Sequence, residues 1–353
     1  MEEREIIPED TAVVKETKKA TVEDLILIKK HFSKLGWAYL AATLIIDFVQ
    51  IVAVAVLKSV NPHLLNSIEV NLLISVVSMY AIGFPLMFFI LKKSVPAQKL
   101  ERHRMSPGQF ILALIICFGL TYASNIIGLI LTSIIGKVSG HNIQNQASVV
   151  LTGLNPWLLI LYVVIFGPIM EELVFRKLIV DRTVRYGQGV AVVVSGLMFG
   201  LFHGNLNQFA YAVVIGMFLA FLYVKTGNLK ITISIHILIN FVGGFLIQKL
   251  FDMVNMEEYE QSLMAGDYAM MMDDIVGNLA GWVLLGLFCC IVIAVLVSGV
   301  VLFIVAVVQK KFRFEKGEVD IPKQLRTNII LANSGMFVFL LVWTVMIVIQ
   351  MMS

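Results

Sequence analysis

Nine stretches of mostly apolar residues recur along the chain, at 36–57, 68–91, 109–135, 157–180, 189–204, 207–224, 231–249, 279–308 and 328–351. About 20 apolar residues carry a helix through a bilayer, and a backbone in lipid must satisfy its own polar groups. The expected fold is therefore all-α, a polytopic transmembrane helix bundle of about eight to nine spans. Composition agrees: 59% of the 353 residues are hydrophobic and 14% are charged, against about 45–50% and about 25% in soluble domains. No repeat of fixed period divides the chain, so residues 36–353 read as a single membrane-embedded domain. The two weakest stretches are 189–204, which is short, and 157–180, which carries charge.

The first 35 residues are too charged for a signal peptide. Residues 1–19 read as a solvated tail. From Thr21 onward, Leu25, Ile28, Phe32 and Leu35 recur at helical spacing with Lys29, Lys30 and Lys34 elsewhere. That pattern suits an amphipathic helix lying on a membrane surface, with His31 at the interface. Residues 1–35 are thus expected to be a cytoplasmic tail and an interfacial helix. Lys and Arg concentrate before residue 36 and in 92–108, 176–185, 225–230 and 309–327, while the alternate connections 58–67, 136–156, 203–207 and 250–278 are nearly free of them. By the positive-inside rule the N-terminus is cytoplasmic and, with nine crossings, the C-terminus is outside. The basic residues lie between spans, so they imply no nucleic-acid partner. Cys117, Cys289 and Cys290 sit inside apolar runs without metal-ligand spacing. The acidic loop 250–278 holds Met253, Met256, Met264, Met270, Met271 and Met272. It reads as an amphipathic cap on the outer bundle, with a soft binding surface as the alternative.

Ionisable residues at membrane depth are expensive and functional by default. Here they concentrate in three neighbouring spans. In "GPIMEELVFRKL", Glu172 and Arg176 are four apart on one helical face and can pair, which leaves Glu171 about 100° around the helix without that partner. The next span ends "FGLFH", with Phe199 one turn before His203. The span after the following one contains "HILIN", placing His236 and Asn240 on one face. At about 1.5 Å per residue, Glu171 lies about 15 Å from the Asp181 end of its helix, His203 about 21 Å from Gly189 and His236 about 9 Å from Lys230. These residues can share one pocket in the inner half of the bilayer. Histidines 31, 63, 103 and 141 fall in loops or at interfaces.

Such a set suits hydrolysis without a covalent nucleophile. Glu171 and His203 can hold and deprotonate a water, and His236 with Asn240 can donate hydrogen bonds to the oxyanion that forms at a carbonyl. A zinc version would use Glu171, His203 and His236 as ligands with water in the fourth position. The absence of an HExxH helix places it second, and no cofactor is favoured. Two other classes stay open: a proton- or ion-coupled transporter, with Glu171, Glu172, His203 and His236 as a relay, and a non-catalytic membrane scaffold. The transporter reading wants repeated halves, which the sequence does not show.

The three motifs, "EELVFR" from Glu171 to Arg176, "FGLFH" from Phe199 to His203 and "HILIN" from His236 to Asn240, resemble those of the CPBP family. These are the CAAX proteases and bacteriocin-processing enzymes of the membrane, including the type II CAAX prenyl endopeptidases. The resemblance covers about residues 150–250, and no motif position departs from it. It implies an intramembrane endopeptidase of the glutamate type in a bacterial plasma membrane. Glu171, His203, His236 and Asn240 would be catalytic, with Glu172, Arg176 and Phe199 supporting. The implied substrate is a membrane protein or a lipidated or hydrophobic peptide.

Overall fold

A computed structural model describes residues 18–140, 143 and 153–352. Residues 1–17 of the expected tail and His141 lie outside that range. Among the described residues, eight helices are long and apolar enough to cross a membrane. They are α1 (Val22–Val60), α2 (Ile68–Lys93), α3 (Pro107–Ser139), α4 (Pro156–Tyr186), α6 (Leu206–Thr226), α7 (Leu229–Met253), α10 (Leu279–Val308) and α12 (Ser334–Met352). Between α4 and α6 runs the shorter apolar helix α5 (Gln188–Phe202). Its 15 residues reach about 22 Å, short of a hydrocarbon core of about 30 Å. It need not face lipid along that length, because α4, α6 and α12 enclose it and most of its residues are buried.

The stretch expected as a separate interfacial helix is instead the start of α1. Thr21 caps the helix through a reciprocal pair with Asp24, and the next 39 residues run without a break. The face of Ile28, Phe32 and Leu35 is buried in the protein, in one cluster with Ile321, Ile329, Ile330 and Met336. The amphipathic pattern was correct, but its partner is the C-terminal segment. A close crossing permits this: a methyl on Gly36 would come within 2.5 Å of the Gly335 backbone, so the two helices meet with no side chain between them. His31 is likewise buried, with Nδ1 3.1 Å from the Tyr186 hydroxyl. The last span is also shorter than 328–351, because α11 (Lys323–Ile330) precedes it and Asn333 caps α12 at the Met336 N–H.

The bundle centre is α4, α5, α6 and α7, with α1 and α12 on one flank and α3 and α10 on the other. Gly216 of α6 lies against Gly196 of α5, where an added Cβ would sit 2.9 Å from the Gly196 Cα and from the Phe199 ring. The basic connections converge on one end of the bundle. The Gln98 N–H bonds the Asp181 carbonyl at 2.6 Å, the His103 N–H bonds the Thr226 carbonyl at 2.8 Å, and the Gln188 N–H bonds the Glu315 carbonyl at 3.1 Å. At that end the two-residue strands β1 (Lys18–Lys19) and β2 (Val319–Asp320) pair in parallel. The alternation of charge along the chain is thus a real two-sidedness of the fold. The Met-rich loop forms α8 (Met256–Ala265) and α9 (Tyr268–Gly277), seated on α10 by Tyr259 against Trp282. Cys289 and Cys290 are free and exposed on α10, and Cys117 is free and buried.

Candidate functional site in the bundle centre

The two adjacent glutamates fall on α4 where that helix changes its turn. Leu159–Phe166 and Glu172–Val180 follow the wider i→i+5 pattern, and the short α-helical stretch Gly167–Glu171 lies between them. Widened turns of this kind are rare and recur at functional sites. Pro168 accounts for part of it. The Gly167 N–H bonds the Tyr162 carbonyl, so the same register would send the next N–H to Val163, and proline has none. The Val163 carbonyl is taken by the side chain of Asn240, whose Nδ2 donates at 2.9 Å. Further along, the Val174 carbonyl accepts the Tyr39 hydroxyl at 2.6 Å and the Phe175 carbonyl accepts Ser195 at 2.8 Å. The irregular backbone is held by side chains of α1, α5 and α7.

Glu172 and Arg176 pair as their spacing predicts, at 2.9 Å, and both side chains are 0% exposed. The Arg176 guanidinium lies 4.5 Å over the Phe199 ring. His236 completes this pair from α7: its Nδ1 is 3.0 Å from Glu172 Oε1. Thr232, one turn earlier and fully buried, also faces the Glu172 carboxylate. Glu171 is different. Its side chain is 25% exposed, and it faces the other nitrogen of the same imidazole, with Oε2 3.6 Å from His236 Nε2. One glutamate is locked into the interior and its neighbour is partly exposed.

His203 terminates α5. Its Nδ1 is 2.8 Å from the Phe199 carbonyl. A carbonyl only accepts, so Nδ1 carries the hydrogen there, and in the neutral ring Nε2 is left as an acceptor. The Phe199 ring stands edge-on to both imidazoles, with centroids 4.8 Å from His203 and 5.8 Å from His236. The Glu171 charge acts on His203 through space. Arg176, His203 and His236 therefore gather around the Phe199 ring, and Glu172 joins them through its contacts with Arg176 and His236. His63 and His103 lie at exposed positions away from this centre. Among the described residues no three His, Cys, Asp or Glu side chains come together as a metal site would require. The two nitrogens of His236 face different carboxylates, Nδ1 toward Glu172 and Nε2 toward Glu171.

Several contributors could not be found by reading motifs. Tyr39, Ser195, Thr232 and the Val163 carbonyl act through contacts between distant elements. Tyr80 of α2 belongs with them: its ring packs edge-on to Phe84 and Phe166 at 5.4 and 5.1 Å.

The fold and this site define a helical, multi-pass membrane protein with a buried carboxylate–imidazole centre. Residues 153–242, which hold that centre, match the family described as type II CAAX prenyl endopeptidase Rce1-like. The family resemblance of the three motifs is thereby borne out. Two relatives are similar to it. The membrane-embedded CAAX protease MroQ of Staphylococcus aureus (strain USA300) is 25% identical over 238 residues, covering 64% of this chain and 93% of the relative. YdiL of Bacillus subtilis (strain 168), whose name marks it as a candidate membrane peptidase, is 32% identical over 87 residues, covering 24% and 34%. No solved structure matches the chain.

Proposed function

We propose that the chain is an intramembrane endopeptidase that cleaves peptide bonds with a water activated by Glu171 and His203, near the cytoplasmic half of the bilayer. The observation that carries this reading is the division of labour between the two glutamates. Glu172 is consumed by Arg176 and His236, while Glu171 is partly exposed and only its Oε2 faces a charged partner. Glu171 takes a proton from water, the water oxygen adds to the carbonyl carbon, and His203 Nε2 serves as the second acceptor on that water. The oxyanion receives hydrogen bonds from His236 Nε2 and from the Asn240 amide hydrogen not given to Val163. That role requires a proton on Nε2. The C–N bond then breaks and Glu171 returns its proton to the leaving amine.

No step in this scheme passes through a metal. The N-terminus would lie on the cytoplasmic side of a bacterial plasma membrane, a reading supported by the basic end of the bundle under the positive-inside rule. Substrates would be membrane proteins or lipidated or hydrophobic peptides, and the name of the staphylococcal relative makes CAAX-type peptides the first to try. The test uses purified wild type and Glu171→Gln with a library of lipidated and plain membrane peptides, read by mass spectrometry with and without chelator. The expected result is cleavage that survives chelator and falls about a thousandfold in the variant. Loss under chelator would replace the scheme with a metal-assisted one. Equal cleavage by both proteins would overturn it. Proton flux in liposomes that depends on Glu171, without cleavage, would favour transport.

A further inference from the structure

The geometry points to Tyr80 as a catalytic residue of the proposed hydrolysis, holding the attacking water against Glu171 in a gap that Gly167 keeps open. The inference rests on the peptidase reading and adds a residue from α2, outside the three motifs.

The gap is defined by what a methyl on Gly167 would meet. The Tyr162 carbonyl oxygen would be 3.0 Å from it, the Tyr80 hydroxyl 3.6 Å and Glu171 Oε1 4.0 Å, so three oxygens face the one position that the missing side chain leaves free. Glu171 turns its other oxygen, Oε2, toward His236. Oε1 is thus the oxygen left for a water, and the charge on Glu171 is close enough to act on Tyr80. Among the described residues the Tyr80 hydroxyl makes no hydrogen bond to protein. A half-buried phenol ordinarily finds a partner, and water beside Oε1 supplies one.

The placement of the hydroxyl is built into α2. Val77–Gly83 is another widened turn, with Tyr80 at its centre. Gln50 of α1 donates to Ser78 at 3.1 Å, and Ser78 bonds back to the Ile74 carbonyl at 2.8 Å, which ties the turn to α1. Edge contacts with Phe84 and Phe166 then fix the ring. In the step itself the water gives one proton to Glu171 Oε1, while its oxygen, oriented by the Tyr80 hydroxyl, bonds to the carbonyl carbon. Tyr80 keeps its proton throughout.

Two arms test this. In a background with Cys117, Cys289 and Cys290 replaced by alanine, Tyr80→Cys and Leu173→Cys are exposed to a small charged methanethiosulfonate reagent. That reagent needs a hydrated thiolate. Leu173 is 40% exposed on the same helix as Glu171 and serves as the lipid-facing control. Labelling of Tyr80→Cys but not Leu173→Cys is expected, and Gly167→Ala should suppress it by filling the gap. On a peptide that wild type cleaves, Tyr80→Phe should lower kcat about tenfold with KM within about twofold. Its melting temperature should be unchanged, since the hydroxyl has no protein partner to lose. A merely structural tyrosine would show the reverse. An unlabelled Tyr80→Cys, or a Tyr80→Phe enzyme with wild-type kcat, overturns the assignment. If no peptide is cleaved the peptidase reading fails instead, and the labelling arm still decides whether the gap holds water.

Discussion

At the scale of single residues, the pair Glu171 and Glu172 shows how one covalent step along a helix separates structure from chemistry. Glu172 is 0% exposed and ion-paired with an equally buried arginine. Glu172→Gln leaves that guanidinium without its counter-charge, and breaking a buried pair costs roughly 3–5 kcal/mol. A lowered melting temperature and poor yield are expected, whereas Glu171→Gln should melt like wild type; scanning fluorimetry in detergent distinguishes them. Asn240 and Pro168 are coupled in a different way. Pro168→Ala supplies the missing N–H, which competes for the Val163 carbonyl and frees the Asn240 side chain to turn. The variants Pro168→Ala and Asn240→Ala should therefore be non-additive in kcat, with a coupling of about 1 kcal/mol or more in a double-mutant cycle. Additive losses would mean that the two residues act independently. Glu171, both imidazoles and the buried ion pair were legible in the sequence, because ionisable groups in apolar runs announce themselves. The Asn240–Val163 bond was not. It depends on a change of helical turn that no residue spacing encodes.

At the scale of elements, spans could be read from apolar length, but their ends and packing partners could not. The stretch from Thr21 to Leu35 has an apolar face, and such a face can meet lipid or protein equally well. The choice is made by Ile321, Ile329 and Ile330, about 300 residues away in the chain. The short helix α5 is another case. Fifteen residues are marginal for a span, yet α5 is secure because its small residues let α6 approach closely. Gly216→Ala tests that contact. Its methyl would meet the Gly196 Cα and the Phe199 ring, each at 2.9 Å. Overpacking of this kind costs about 1–3 kcal/mol, and here the displaced ring is the one that Arg176, His203 and His236 pack against. Lower stability together with reduced kcat is expected. Gly286→Ala on α10, where a methyl meets nothing within 4 Å, should change neither.

At the scale of the whole molecule, charge and short connections decide which end of the bundle faces which compartment. The segments 95–106 and 314–320, the β1–β2 pair and the turn at Gly187 meet at one end through backbone hydrogen bonds. They must therefore lie on the same side of the membrane, whatever that side is. Helices α8 and α9, with their acidic residues and no lysine or arginine, follow α7 at the opposite end. The sharpest consequence concerns α5. If it crosses fully, the turn at His203 and Gly204 shares a compartment with α8; if it only enters and returns, α6 would have to begin on the basic side. The basic residues Lys225 and Lys230 flank the α6–α7 turn, and Lys225 contacts Glu315 at the basic end. The first arrangement alone places that turn with the others. Single cysteines at Arg102 and at Glu258, in a cysteine-free background, should then be labelled by an impermeant maleimide from opposite faces of inverted and right-side-out vesicles. Arg102 should react from the cytoplasmic face and Glu258 from outside. Labelling of both from one face would mean an even number of crossings between them, and α5 would then be a re-entrant segment that brings His203 to Glu171 without spanning the bilayer.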